Sequence, residues 1–243
     1  MSSKLERFQE KWKRFSGSEA RPNKGLESFS DSVKRLTTPR ALTVLGIMLF
    51  GACVVTGNAG ASRADTDQQA FVAASSTFTS IPIGHAQFCR EHISECSANQ
   101  TVVAVETLTE ARWQQLLKVN TEINTEVVPV TDEQLYHVQE FWTYPQGFGD
   151  CEDYVLAKRK SLIAQGWPAS TLLITVVKQA NGEGHAVLMV RTDRGDLVLD
   201  NQTPLVKLWS QTPYQFIKRQ SQTNPGQWVT LYDTRPTDLA ALN

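Results

Sequence analysis

The sequence predicts an α+β domain, with helices first and an antiparallel sheet afterwards, and three observations lead there. Two stretches with helical spacing precede Gly166. From residue 171 onward the period changes to short apolar runs, "TLLITVVK", "HAVLMVRT", "LVLDN" and "WVTLYD". Turn residues separate these runs, above all "DRGD" at 193–196, so neighbouring strands pair antiparallel.

The chain has 243 residues, enough for one good-sized domain with extensions. Its formal charge of −1 hides an asymmetry: residues 1–64 carry 11 Lys/Arg against 5 Asp/Glu, and the remainder is acidic. An acidic body argues against nucleic acid as a partner, because phosphate contacts need a basic surface. Residues 1–40 read as a basic, disordered head.

The uncharged run "ALTVLGIMLFGACVV" (41–55) is shorter than the roughly 20 residues that span a bilayer, and it suits the core of a signal peptide over 41–64. Arg35 and Arg40 supply its positive flank, and Ala59-Gly60-Ala61 and Ser62-Arg63-Ala64 offer small residues for cleavage. The expectation is a periplasmic protein whose mature domain occupies 65–243. The alternative is one held at the inner membrane by an uncleaved signal.

Residues 65–85 are small and polar and read as a flexible start. Cys89 and Cys96 follow in "FCREHISEC" and suit a short disulfide in an oxidising compartment. A straight helix would set residues seven apart about 10 Å from each other, so the pairing requires a bend. Cys89, His92 and Cys96 as metal ligands, and Cys89 and Cys96 as unpaired thiols, are the competing readings. Thr107 and Glu110 form a candidate capping box ahead of Trp113, Leu116, Leu117 and Asn120 at helical spacing. A shorter helix in "DEQLYHVQEFW" precedes a loop over 143–149. The next helix runs from Asp150 to Gln165, closed by Gly166 and Pro168, with Cys151, Val155 and Leu162 on one face.

Cys151 is the odd thiol, and Asp150, Glu152 and Asp153 surround it. Carboxylates oppose thiolate formation. They are nevertheless favourable in the first turn of a helix, with Asp150 as N-cap and Lys158, Arg159 and Lys160 toward the other end. A thiolate there still needs a cation, either an imidazolium or a bound metal ion. His185 opens an apolar strand after "NGEG", and Asp200 closes the next one. A turn near 193–194 sets these two within a residue or two of opposition. Singly, each has a bland explanation as a satisfied sheet-edge or capping residue. Together they form a thiol triad in the order Cys, His, Asp.

The segments "WTYPQGFGDCEDYVLAKRKSLIAQGWP", "GEGHAVLMVRTDRGDLVLDNQ" and "VNTEIN" resemble the bacterial transglutaminase-like cysteine peptidases, a group that includes the LapG-type periplasmic proteases. The resemblance runs from about Ile81 to Tyr232. It implies a papain-like, transglutaminase-core fold with Cys151 as nucleophile, His185 as base and acid, and Asp200 as orienter. It also implies calcium held by Asp150, Glu152 and Asp153. The family pattern has a further acid three residues before the cysteine, where this chain has Phe148. The implied substrate is a periplasmic or cell-surface protein such as a biofilm adhesin. The implied regulator is an inner-membrane receptor answering a cytoplasmic second messenger. A transglutaminase-type acyl transferase and a non-catalytic binding module are the alternatives on the same fold. Trp142 is a candidate for either the substrate groove or the core.

Overall fold

The computed structural model describes residues 70–233 and residue 235. The basic head over 1–40 and the signal peptide over 41–64 lie outside the described residues. Among those described, no helix is long and apolar enough to cross a membrane.

Four α-helices occur in the described chain: α1 (Ile83–Glu91), α2 (Glu110–Glu126), α3 (Asp132–Tyr136) and α4 (Cys151–Ala164). The strands are β1 (Ala73–Thr79), β2 (Val128–Pro129), β3 (Phe148–Gly149), β4 (Leu172–Lys178), β5 (Gly184–Thr192), β6 (Gly195–Leu199), β7 (Lys207–Leu208), β8 (Gln215–Gln220) and β9 (Trp228–Tyr232). One antiparallel sheet takes the order β1-β9-β8-β4-β5-β6-β7, and β2 and β3 form a separate parallel pair. The predicted class, helices followed by an antiparallel sheet, is the observed one.

Alternation along the central strands produces two cores. Leu172, Ile174, Ala186, Leu188, Val190, Leu197 and Leu199 face the helices, where they meet Leu116 and Val119 of α2 and Val155, Leu156 and Leu162 of α4. Leu173, Val177, Val187, Met189 and Val198 face the other way and are covered by Val72, Trp209, Tyr214, Phe216 and Leu231. Each such side chain, fully buried, contributes roughly 1.5–3 kcal/mol. Burial on both faces explains why β4 to β6 read as apolar runs rather than alternating ones.

Several sequence expectations need correction. The segment 65–85 contains β1, whose mostly exposed small residues give no apolar alternation; its pairing with β9 makes it a strand. The stretch between "LVLDN" and "WVTLYD", whose Pro204, Pro213 and Pro225 suggest a linker, contains β8, an interior strand between β4 and β9. Lys218 and Arg219 disguised it, and Arg219 is buried. Thr109, not Thr107, caps α2, its hydroxyl accepting from the Arg112 amide at 3.2 Å. Trp142 belongs to the core: it is buried against Gly84, whose missing Cβ would lie 2.3 Å from the indole.

Cys89 and Cys96 are disulfide-bonded, with their Cα atoms 5.5 Å apart. The required bend is present, since α1 stops at Glu91 and a 3-10 turn over Ile93–Glu95 brings Cys96 back. His92 stacks on Phe88, with ring centroids 4.1 Å apart. It is buried His85 that lies beside the two sulfurs.

Candidate active site

Cys151 begins α4, and its position follows from the contacts of the preceding residues. β3 pairs with β2, so the chain entering α4 is fixed to the chain leaving α2. Val128 and Val130 amides donate to the carbonyls of Gly147 and Gly149 at 2.9 and 3.0 Å. Gly149 is required where it stands, because a Cβ there would lie 2.6 Å from Asp153 Oδ2. Val155 and Leu162 then seat α4 on the sheet, with half-buried Cys151 packed against the same core.

The two-residue turn after Thr192 sets the β5–β6 register, with Thr192 opposite Gly195 and Leu188 opposite Leu199. That register brings the ends of the hairpin together. His185 Nε2 and Asp200 Oδ1 are 2.9 Å apart, and both side chains are 2% exposed. A carboxylate only accepts, so Nε2 carries the proton and Nδ1 is the nitrogen left to act as a base. Asp200 also accepts from the Gln202 amide at 3.0 Å and from the Tyr214 hydroxyl at 2.5 Å. Burial alone would raise its pKa, but the bond and charge of His185, with the other two donors, hold it below the ordinary value. In "VNTEIN", Asn124 Nδ2 donates to the Asp200 carbonyl at 2.8 Å, and Asn120 Nδ2 to Thr203 O at 3.2 Å. This motif therefore ties α2 to the loop that carries Asp200.

The thiol points at an acid. Cys151 Sγ donates to Glu152 Oε2 at 3.2 Å, and the Ala186 amide, one residue beyond His185, bonds the sulfur. Among the described residues, His185 makes its side-chain hydrogen bond to Asp200 alone. Burial, then the charge and hydrogen bond of Glu152, push the thiol well up; the Ala186 amide offsets this in part. By alternation His185 lies on the Val187–Met189 face, while the next residue, Ala186, faces α4 and its amide bonds the Cys151 sulfur.

Capping accounts for only part of the acids: Asp153, in the first turn, bonds the Asp150 backbone amide, but Asp150 does not cap through its own side chain. Asp150 occupies the N-cap position, but its side chain makes no capping bond; Asp150 Oδ2 accepts instead from the Asp132 amide at 3.1 Å. Single carboxylate oxygens of Asp132, Asp150 and Glu152 lie within 4.8 Å of one another. Asp132, which sequence reading missed, stands beside Asp150 and Glu152. Asp153 bonds the Thr143 amide through Oδ1 at 2.9 Å. Phe148 pairs with Val128 in the small parallel sheet, so it contributes to the site only by holding the chain there. Buried oxygens of Asp132, Asp150 and Asp153 have no hydrogen-bond partner among the described residues. Burial, reinforced by the other acids, raises Asp132 to about 6 and Asp153 to about 8. Burial and the adjoining Asp150 carry Glu152 to about 10. Buried acids pushed this far are short of a cation. Because the oxygens of Asp132, Asp150 and Glu152 are grouped, and one each on Asp132, Asp150 and Asp153 has no hydrogen-bond partner among the described residues, the donor set fits a hard, oxygen-seeking ion such as calcium.

The cations of α4 also depart from expectation. Lys158 and Arg159 are buried, and the last turn contains no basic residue. Arg159 Nε donates to Leu172 O at 3.0 Å. Lys158 Nζ has no hydrogen-bond partner among the described residues and sits 5.8 Å from the Tyr154 ring centroid.

A cysteine on a helix N-terminus, packed on a sheet that presents a bonded His–Asp pair, defines a thiol hydrolase of papain-like type. Residues 75–236 match the family described as bacterial transglutaminase-like cysteine proteinase BTLCP, and the chain belongs to that family. It is a cysteine peptidase. No curated protein matches the chain. Solved structures of Legionella pneumophila LapG are similar to it. The calcium-bound form is 26% identical over 51% of this chain and 71% of its own, with a TM-score of 0.43. The EGTA-treated form is 25% identical over 51% and 69%, with a TM-score of 0.41.

Proposed function

We propose that the protein is an exported cysteine endopeptidase that cleaves a periplasmic or cell-surface protein through an acyl-enzyme formed on Cys151. The observation that carries this reading is the buried His185–Asp200 pair at 2.9 Å, beside the helix that begins with Cys151. Asp200 fixes the tautomer of His185 and stabilises its protonated form. His185 Nδ1 takes the thiol proton as the sulfur attacks a peptide carbonyl, and returns it to the leaving amine. Water then releases the acyl group from sulfur. The Cys151 amide, at the start of α4, is placed to bond the oxyanion. The paired Cys89 and Cys96 suit an oxidising compartment, in accord with export.

Asp132, Asp150 and Glu152, with the unpartnered oxygen of Asp153 close to Gly149, would hold calcium. When bound, the ion supplies positive charge that keeps these carboxylates ionised and favours a thiolate beside them.

The test compares secreted and surface proteins of a wild-type strain with those of a Cys151→Ala strain. A surface protein, an adhesin being the first candidate, is expected shortened in wild type and intact in the variant. Identical protein profiles in the two strains would refute the reading. Product mass spectra with a primary amine present distinguish hydrolysis from acyl transfer, because only transfer adds the amine.

A further inference from the structure

We propose that Tyr214 is a positioning residue of the peptidase site, fixing Asp200 in the orientation that holds His185, and that Arg235 latches the loop carrying Tyr214. The inference rests on the triad reading above and adds to it a hydrogen-bonded chain that none of its three residues supplies.

Asp200 Oδ1 is occupied by His185 Nε2 at 2.9 Å and the Gln202 amide at 3.0 Å. Both of these bonds fall on one oxygen and leave Oδ2 to another donor. Tyr214 donates to the other oxygen, Oδ2, at 2.5 Å, so the carboxylate plane is fixed from both ends. The Tyr214 ring also lies 5.4 Å from the His185 ring, centroid to centroid, and both residues are buried. Burial, then the bond and charge of Asp200, push the phenol upward, so it remains a donor across the physiological range. The other ionisable groups facing this cluster are Lys158 of α4, which senses Asp200, and Cys151, which is within electrostatic reach of Tyr214.

Tyr214 precedes β8 on an irregular segment that would not hold a hydroxyl in place unaided. Arg235 supplies the constraint. Its Nη1 donates to the carbonyls of Thr212 at 2.8 Å and Trp209 at 3.3 Å, and its Nη2 to the carbonyl of Tyr214 itself. The guanidinium is paired with Asp233 at 2.6 Å and lies over the Trp209 ring at 4.8 Å. One side chain thus fixes the loop from residue 209 to residue 214, and through it Asp200.

The experiment takes the whole protein at one near-neutral pH and a fixed calcium concentration, with Tyr214→Phe, Arg235→Gln and Asp200→Asn. Two quantities are read. One is the downfield NMR signal of the His185 Nε2 proton. The other is the rate at which iodoacetamide alkylates Cys151, followed on the Cys151 peptide by mass spectrometry. Tyr214→Phe is expected to slow alkylation by about tenfold, the worth of a bond to a charged group, and to move the proton signal upfield. Arg235→Gln should move both in the same direction by less. Wild-type values in Tyr214→Phe, with both quantities changed in Asp200→Asn, would overturn the positioning role and leave the triad standing. Wild-type values in Asp200→Asn would refute the triad reading itself. Should Tyr214→Phe not fold, Arg235→Gln decides: wild-type values there overturn the proposal.

Discussion

Replacing Lys158 with Met should make the protein more stable. Lys158 is fully buried, and its Nζ has no hydrogen-bond partner among the described residues. Burial lowers its pKa from 10.5 to about 7, with Asp200 offsetting only part of the effect. At about 1.4 kcal/mol per tenfold, that displacement corresponds to an upper bound on the order of 5 kcal/mol. The sign follows from proton counts. Between about 7 and 10.5 the unfolded chain binds a proton at this lysine that the folded chain does not, so stability rises with pH across that window. The penalty is fully present below 7 and gone above 10.5. Met fills a similar volume without an ionisable group, so Lys158→Met removes the penalty and its pH dependence. Urea unfolding of both proteins at pH 7 and pH 9 measures it. The variant should be more stable at pH 7, and its advantage should shrink by about 2 kcal/mol by pH 9. A variant less stable than wild type at both pH values, by the same margin, would refute the reasoning.

If the acids hold calcium, EGTA should lower the melting temperature and abolish activity, with calcium but not magnesium restoring both; Asp132→Asn should then need more calcium for the same rate. No response to chelator in either measurement refutes the site. Thiol titration of the exported protein, denatured without reductant, should give one free thiol, Cys151, and a count of three refutes the Cys89–Cys96 pair in solution. Gly84→Ala should cost about 1–3 kcal/mol, because the new Cβ would stand 2.3 Å from Trp142 and the indole has to move; a melting temperature equal to wild type refutes it. N-terminal sequencing of periplasmic protein should start near Ser62 or Asp65, and recovery of only full-length, membrane-bound chain refutes cleavage.

What the sequence made legible is what local pattern encodes. β4, β5 and β6 could be read because an interior strand buried on both faces must be apolar, and β9 because Trp228, Val229, Thr230, Leu231 and Tyr232 are strand-forming residues in one run. The His185–Asp200 approach was readable because a two-residue turn fixes the register over a short hairpin. β1 and β8 were not, since one is an exposed edge strand and the other carries Lys218 and Arg219; pairing with distant strands defines both. Asp132 escaped for the same reason. It stands 18 residues before Asp150, and only the β2–β3 pair brings them together. Tyr214 gave no signal at all, because its partner Asp200 is reached through the loop that Arg235 ties down.

The acids around Cys151 show where local reasoning gives a false answer. A helix N-terminus favours carboxylates, so capping accounts for "DCED" in sequence without further chemistry. In the fold, the Asp150 side chain leaves the helix amides for the amide of Asp132, and Glu152 takes the thiol proton's bond. Caps would be solvated and ionised, whereas Glu152 and Asp153 are buried and raised far above their ordinary range. Each carboxylate added to such a cluster makes the next harder to ionise, so the group is least stable as the isolated set of charges that capping assumes. The same helix buries an unpartnered lysine two turns below its start. Uncompensated groups of both signs, concentrated on one helix under the peptidase site, are a cost to folding that structure alone does not repay. The clustering of the acids beside the thiol supports the proposal that they hold a cation, which the chelator experiment tests.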